Sequence, residues 1–229
     1  EDLNSLNIIE DNYRNYYEIF VYSFRDSNDD GKGDLNGVIE KLDYIKDLGF
    51  NGIWLMPIHP SLSYHKYDVN NYYEIDKSYG TMEDLERLID ECHKRDIKLI
   101  LDMVFNHSSS TNDMFIKALI AHEKEITYQP LTEEDEIYKD YYTFYNVKSE
   151  IPSGVTCYQA VGKSFYYEAN FDSKMPEFNC DNPYVVQEFK NIMKFYLDKG
   201  VDGFRFDAVK YFYINDMQKN IDLLSELNS

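Results

Sequence analysis

Two charged residues near the carboxyl end of the chain, Arg205 and Asp207, have the spacing of a catalytic pair. They stand at the end of a short apolar segment that is predicted to be a strand. Positions i and i+2 of a strand share one face, so both side chains should point the same way, and the cation would keep the carboxylate ionised. An ionised carboxylate there can serve as the nucleophile of a retaining glycosidase, and a structural ion pair is the alternative.

Two further polar groups follow predicted strands. Asp102, Asn106 and His107 close one strand; His107 could donate to a substrate hydroxyl, and Asn106 could anchor the next segment through a metal or a hydrogen bond. A histidine satisfied within the core is the alternative for His107. His65 and Tyr67 lie in a polar, aromatic loop, where Tyr67 is either a stacking platform for a sugar or an ordinary exposed tyrosine.

Residues 26–34, here called the cation loop, carry oxygen ligands at regular spacing. The side chains are those of Asp26, Asn28, Asp30 and Asp34, with the carbonyl of Lys32 between them. This spacing wraps hard oxygen ligands around Ca²⁺. An EF-hand is excluded because Gly37 replaces the glutamate at loop position twelve and because a predicted strand precedes the loop. A solvated acidic turn is the alternative.

Alternating strands and helices must position these groups. Four apolar segments are predicted as strands, at residues 18–24, 52–56, 98–105 and 201–206. Apolar residues at helical spacing predict helices over residues 35–48, 81–92, 182–197 and 217–227. This alternation predicts a parallel sheet with right-handed crossovers.

The connection after the third strand is far longer than an ordinary βα loop. Residues 106–181 are therefore predicted to form an inserted domain over the strand ends. Residues 1–105 and 182–229 make four βα units, whereas an eight-fold barrel needs about 250 residues before insertions. The expected fold class is α/β: the first four units of a (β/α)8 TIM barrel, with a small inserted domain (domain B) after strand 3.

The composition excludes several classes of partner. The net charge is −19, with 42 acidic and 23 basic residues, which argues against nucleic acid and anionic membranes and suits a neutral substrate. We find no apolar stretch typical of a membrane span or a signal peptide. The three cysteines, Cys92, Cys157 and Cys180, lack metal-ligand spacing. The 22 tyrosines supply flat surfaces on which sugars can stack.

Taken together, these segments resemble family 13 of the glycoside hydrolases, the α-amylase family. Residues 102–107 (Asp-Met-Val-Phe-Asn-His) look like its first motif, and residues 203–211 (Gly-Phe-Arg-Phe-Asp-Ala-Val-Lys-Tyr) look like its second. Residues 175–179 (Met-Pro-Glu-Phe-Asn) resemble the motif near the end of its inserted domain. The cation loop is similar to the calcium loop of the oligo-1,6-glucosidase branch. The four motifs stand in the family's order and span nearly the whole chain.

The resemblance implies a role for each site residue. Asp207 would form a covalent glycosyl-enzyme, and Arg205 would keep it ionised and oriented. His107 and Tyr67 would line the subsite of the sugar to be cleaved, with Asp102 supporting the site from its strand.

Other residues would bind substrate or metal. His65 shares the Tyr67 loop and is predicted to contact substrate, while Lys210 and Tyr211 would contact the sugar on the leaving side. Asn106 would join barrel and insertion, often through calcium. The remaining Ca²⁺ ligands would come from the cation loop, namely Asp26, Asn28, Asp30, Lys32 and Asp34.

The implied activity is hydrolysis of an α-glucan or a maltooligosaccharide. Ala208 directly after Asp207 resembles the α-amylase form, which favours internal α-1,4 bonds, whereas α-glucosidases of the family more often have valine there. The alternatives are an α-1,6-glucosidase, a transglycosylase or isomerase on the same scaffold, and an inactive glucan-binding relative. The presence of Asp207, Arg205 and His107 disfavours the inactive relative, since binding alone needs no nucleophile.

Retaining hydrolysis also needs a second carboxyl group about 5 Å from the nucleophile. In this family that acid is a glutamate at the end of the fifth strand. We therefore expect the 229 residues alone to lack turnover and to need the carboxyl-terminal half of the barrel. The acidic surface, the cation loop and a first residue other than Met favour an extracellular enzyme, with a cytoplasmic maltodextrin enzyme as the alternative.

Overall fold

The computed structural model describes residues 14–209, 212–213 and 216–228. In chain order its elements are β1 (Tyr16–Ile19), α1 (Val21–Phe24), α2 (Leu35–Glu40), α3 (Leu42–Asp47), β2 (Gly52–Leu55), α4 (Met82–Lys94), β3 (Lys98–Met103), α5 (Asp113–Ile126), α6 (Glu133–Tyr138), β4 (Phe144–Tyr145), β5 (Cys157–Gln159), β6 (Tyr166–Glu168), α7 (Pro183–Leu197), β7 (Gly203–Phe206) and α8 (Met217–Leu227). The predicted substrate contacts at Lys210 and Tyr211 fall outside the described residues.

The main sheet is parallel, and its strands are adjacent in the order β1, β2, β3, β7. Because all four strands run the same way, their carboxyl ends meet at one edge, as in a barrel. The register places Trp54 opposite Ile100 and Asp102 opposite Arg205. Ile100 and Asp102 share a face, so Trp54, Asp102 and Arg205 all project to the same side. The prediction of parallel βα units is confirmed.

The apolar segment at residues 18–24 is not a continuous strand. Pairing with β2 ends at Ile19, and Val21–Phe24 forms a single helical turn. Gly33 causes the difference, because its amide donates to the carbonyl of Tyr22 over 2.7 Å. A β-carbon at Gly33 would lie 1.9 Å from the carbonyl oxygen of Val21. The cation loop therefore packs directly on this turn and takes hydrogen bonds that a strand would have used.

Helix boundaries follow the predicted signals with one correction. The helix predicted over residues 35–48 is broken at Lys41, whose φ of −106° ends α2 and starts α3. Thr81 and Asp84 form a capping box at the start of α4, with both of its hydrogen bonds. Asn182 caps α7, and Pro183 lies in its first turn.

The long connection between β3 and α7 contains its own elements, which confirms an insertion at this point. They are the helices α5 and α6 and a separate antiparallel sheet in the order β4, β6, β5. Isolated bridges lie within this connection: His107–Glu177 joins its start, next to β3, to its end, and Tyr142 pairs with Phe178. These bridges set the insertion beside the carboxyl edge of the sheet.

The core lies between the parallel sheet and its helices and is rich in rings. Phe105, which follows β3 after Val104, stacks on Phe189 of α7 with ring centres 4.3 Å apart. Both side chains are buried, so α7 is fixed against the strand that carries Asp102. Among the described residues, no helix combines the length and the apolar character needed to cross a membrane.

Candidate active site

Arg205 of β7 joins two carboxylates through a single nitrogen. Its Nη1 donates to Oδ1 of Asp207 over 2.9 Å and to Oδ2 of Asp102 over 3.0 Å. The spacing in the sequence placed Arg205 and Asp207 on one side, and the structure shows the two in contact. Asp207 has 26% of its side chain exposed, whereas Asp102 has none. A partly exposed carboxylate held by a cation can reach a substrate, and a buried one can only support it.

Asp102 is the buried centre of this group. Besides Arg205, its Oδ2 accepts hydrogen bonds from Tyr67 Oη over 3.1 Å and from Trp54 Nε1 over 3.3 Å. Its Oδ1 has no hydrogen-bond partner among the described residues. Burial raises the pKa of Asp102 to about 6; Arg205 opposes that rise, and the charge of Asp207 adds to it.

Tyr67 is attached at several points. Its hydroxyl bonds Asp102, its carbonyl accepts from Nε2 of His107 over 3.1 Å, and its amide donates to Nδ1 of His65 over 3.0 Å. Burial raises the pKa of the Tyr67 hydroxyl well above its ordinary value, with a further contribution from Asp102. The phenol is therefore a neutral, fixed donor at the side of the nucleophile.

His107 is almost completely buried, with 2% of its surface exposed. Burial lowers its pKa to about 4, so the ring is neutral at pH 7. Its Nε2 faces the Tyr67 carbonyl, and its Nδ1 lies 3.3 Å from Nδ2 of Asn106. In this arrangement the ring fixes the Tyr67 loop, and its predicted bond to a substrate hydroxyl stays a prediction.

Sequence reasoning missed two residues, Trp54 and Phe171. The centre of the Trp54 ring lies 4.8 Å from Cζ of Arg205, a cation–π contact. Strand parity could have found Trp54, because it shares a face with Asp102 once β2 is aligned with β3. The Phe171 ring lies 5.4 Å from the His107 ring and is 45% exposed. Phe171 belongs to the insertion, so neither parity nor helical periodicity signals it.

Asn106 connects the barrel to the insertion by hydrogen bonds. Its Nδ2 donates to Oε1 of Glu177 over 3.2 Å, and its carbonyl accepts from the amide of Phe178 over 3.0 Å. Burial raises the pKa of Glu177 to about 8, and the neighbouring Glu168 contributes to this. Anchoring by Asn106 through a hydrogen bond is therefore observed, and its predicted role as a metal ligand stays a prediction.

The side-chain oxygens of the cation loop face its own backbone. Asp26 accepts from the amides of Asn28, Asp29 and Gly31 over 2.7–3.0 Å, and Asp34 caps α2 through the amide of Gly37 over 2.6 Å. Asn28 and Asp30 likewise accept from amides two residues further on. The oxygen donors suit a hard cation by chemistry. Within the part of the chain that the structure describes, no three His, Cys, Asp or Glu side chains form a metal-binding group, so Ca²⁺ remains a prediction.

Comparison with known proteins gives one consistent result. The sequence model of a family described as "Alpha amylase, catalytic domain" matches residues 18–224. Alpha-amylase 3 of Dictyoglomus thermophilum is 47% identical over 95% of this chain, and Maltase A1 of Drosophila melanogaster is 42% identical over 90%. The solved structure of Eubacterium rectale Amy13B superposes with a TM-score of 0.86 at 46% identity over 97% of this chain.

These relatives are longer than the present chain and differ in their named activities. The chain spans 41% of the Dictyoglomus relative, 36% of the Drosophila relative and 42% of Amy13B. Further matches at 32–39% identity carry the names oligo-1,6-glucosidase, trehalose-6-phosphate hydrolase and isomaltulose synthase. The relatives therefore share a scaffold rather than one substrate.

Proposed function

Because the chain belongs to the α-amylase family, family 13 of the glycoside hydrolases, we propose that the protein carrying it is a retaining α-glucan hydrolase acting mainly on internal α-1,4 bonds. The observation that carries the proposal is the Arg205 bridge, which holds Asp207 partly exposed at the carboxyl edge of the sheet. The substrate is an α-glucan or a maltooligosaccharide.

In the proposed reaction Asp207 is the nucleophile. Its carboxylate oxygen bonds to the anomeric carbon while the bond from that carbon to the leaving oxygen breaks, and a separate acid gives that oxygen a proton. Water then attacks the same carbon, passes a proton to the group that served as acid, and releases Asp207. Two displacements at one carbon retain its configuration.

The acid is assigned to the fifth-strand glutamate that the family resemblance implies. The parallel sheet of the described residues has four strands, so this assignment concerns a strand outside it. The inactivity of the 229-residue chain alone, and its need for the other half of the barrel, remain part of the proposal. The extracellular location also remains a prediction.

A row of rings supports a substrate of several sugars. From Tyr67 the row continues through His65, whose ring centre is 5.9 Å away, to Tyr64 at a further 5.6 Å and Phe20 at 6.2 Å beyond it. Tyr64 is 67% exposed. Sugar rings stack on flat aromatic surfaces, and the exposed Tyr64 ring offers such a surface beyond Tyr67, which suits a substrate longer than one sugar.

Trapping the covalent intermediate tests this proposal. An α-glucosyl fluoride with a second fluorine on its ring needs no acid, because fluoride is a good leaving group, and its covalent adduct breaks down slowly. We expect peptide mass spectrometry to find one added sugar on Asp207. The Asp207→Asn variant is the control and should stay unlabelled. A sugar attached to another residue would contradict the assignment of the nucleophile.

Transglycosylation or isomerisation is the second candidate, because isomaltulose synthases are among the matched structures at 39% identity. The same residues would form the same intermediate, and a sugar hydroxyl rather than water would then attack it. Product analysis with maltooligosaccharides and with sucrose separates the two. Shorter maltooligosaccharides and no new linkages support the hydrolase, and an isomer of sucrose supports the second candidate.

A further inference from the structure

Lys66 stands between two site residues, His65 and Tyr67, yet its own side chain is buried. The residue is 5% exposed, and its ammonium lies 2.7 Å from Oδ2 of Asp76. The same nitrogen lies 4.8 Å from the ring centre of Tyr79, which is also buried. A buried ammonium is stable only when it is paired and surrounded by suitable groups, and both contacts meet that need.

The backbone of Lys66 is in a conformation that side chains disfavour. Its φ is +64°, in the left-handed region that glycine adopts without strain. Glycine would make the same turn more easily. What lysine adds at this position is therefore its contact with Asp76 and Tyr79, rather than the shape of the turn.

Asp76 is a rigid attachment point for this lysine. Its Oδ1 accepts from the amide of Ser78 over 2.9 Å and from the Ser78 hydroxyl over 2.6 Å. Its own amide donates to the carbonyl of Ile58 over 2.9 Å, and Ile58 lies three residues after the end of β2. The position of the ammonium is thus fixed to the framework of the barrel.

We propose that Lys66 is a positioning residue that, by pairing with Asp76, holds the Tyr67 hydroxyl against Asp102. Tyr67 is then attached in three ways: by its hydroxyl to Asp102, by its carbonyl to His107, and by its chain neighbour Lys66 to the core. Loss of the third attachment lets the loop at residues 61–68 move away from Asp102. Among the measurements that test this proposal, only the change in kcat/KM rests on the proposed function.

The variant Lys66→Met tests the proposal, because it removes the charge and keeps a long apolar side chain. The deciding measurement is hydrogen exchange at the amide of Tyr67, which bonds His65 in the native loop. We expect this exchange to become faster by about tenfold or more, as local opening becomes easier. Trp54 is the only tryptophan of the chain, and its Nε1 donates to the same Asp102 oxygen as the Tyr67 hydroxyl. Its fluorescence emission in Lys66→Met should therefore shift as it does in Tyr67→Phe.

Lys199 offers a control with the same kinds of contact in a more exposed setting. Its ammonium lies 2.5 Å from Glu86 and 4.9 Å from the ring centre of Phe195, the same two kinds of contact as those of Lys66. Lys199 precedes β7, at the end of the sheet opposite the site. Lys199→Met should lower stability but leave hydrogen exchange at Tyr67 and the emission of Trp54 unchanged. Lys66→Arg keeps the positive charge, so its Tyr67 exchange and Trp54 emission should lie closer to the native values than those of Lys66→Met.

In the protein that turns over substrate, Lys66→Met should lower kcat/KM by about ten- to a hundredfold, mainly through kcat, since displacement of a site group by about 1 Å has effects of this size. If Lys66→Met does not fold, Asp76→Asn serves instead, because it removes only the counter-charge. Native exchange at Tyr67 in the variant would overturn the proposal, whatever the activity. Faster exchange without any glucan turnover would count against the proposed function alone.

Discussion

Trp54 lies against the guanidinium of Arg205, with Cζ of the arginine 4.8 Å from the centre of the ring. The same indole donates its Nε1 hydrogen to Asp102, which is itself bonded to Arg205. Trp54 therefore supports both members of the Arg205–Asp102 ion pair, one through its ring face and the other through its edge. Arg205 is 38% exposed at its side chain, so this support limits its freedom to swing into solvent.

Replacing Trp54 separates these two contacts. Trp54→Phe keeps a ring face for Arg205 and loses the hydrogen bond, whereas Trp54→Leu loses both. A cation–π contact contributes about 0.5–2 kcal/mol, so kcat/KM should fall roughly two- to thirtyfold further in Trp54→Leu than in Trp54→Phe. Steady-state kinetics of the two variants provide the comparison. Equal losses would show that the ring face does not hold Arg205.

Tyr72 supports the His107 turn from within the core. Its buried hydroxyl lies 2.5 Å from the carbonyl of Val104 and 2.9 Å from that of His107, and its own carbonyl accepts from Tyr196 over 2.5 Å. Tyr72→Phe removes the single hydroxyl proton that these two carbonyls compete for and leaves a buried acceptor without its donor, which should lower the free energy of unfolding by about 1–3 kcal/mol. Urea unfolding measures the loss.

Tyr158→Phe is the control for Tyr72→Phe, because Tyr158 is 37% exposed and its hydroxyl can bond water. Its unfolding free energy should stay within about 0.5 kcal/mol of the native value. If Tyr72→Phe also left the free energy of unfolding unchanged, the hydrogen bonding of Tyr72 at the His107 turn would contribute nothing to stability.

Most of the successful sequence-based predictions rest on local patterns, that is, on residue spacing within one strand or helix. The i, i+2 spacing of Arg205 and Asp207 describes a contact within one strand, so parity sufficed. The bond from Arg205 to Asp102 joins residues 103 positions apart and depends on the register between β3 and β7, which no local pattern specifies. His107 was assigned by residue type, but the atom that its Nε2 faces is set by a loop 40 positions earlier. The strand expected to continue to residue 24 ends at Ile19, and beyond it the carbonyl of Tyr22 accepts from Gly33 of the cation loop, a contact that no pattern within residues 18–24 indicates.

Calcium binding by the cation loop is tested by chelation. Ca²⁺ would draw the carboxylate of Asp26 away from the loop amides that it now accepts from. We expect added Ca²⁺ to raise the melting temperature and a chelator to reverse the change, because a ligand that binds only the folded state stabilises it. Asp26→Asn should remove the response. An unchanged melting temperature in saturating Ca²⁺ would favour the solvated acidic turn.

Asp102 should make stability depend on pH in the direction opposite to that of an ordinary paired aspartate. Its folded-state pKa of about 6 lies above the ordinary aspartate value of 3.8, so between these two pH values the folded protein holds a proton that the unfolded chain has lost. The resulting stabilisation is complete below about pH 3.8 and disappears as the pH rises through 6. Asp102→Asn lacks this titration.

The measurement is urea unfolding of native protein and Asp102→Asn at pH 4.5 and pH 7. Between these values the native protein should lose about 2 kcal/mol relative to the variant, since one pKa unit corresponds to about 1.4 kcal/mol and the titration is not complete at pH 4.5. Asp43→Asn is the control: Arg95 lowers the pKa of this exposed aspartate, so its effect titrates only below pH 3.8 and its difference from native should be the same at both pH values. A constant difference for Asp102→Asn as well would mean that Arg205 keeps Asp102 ionised at both pH values.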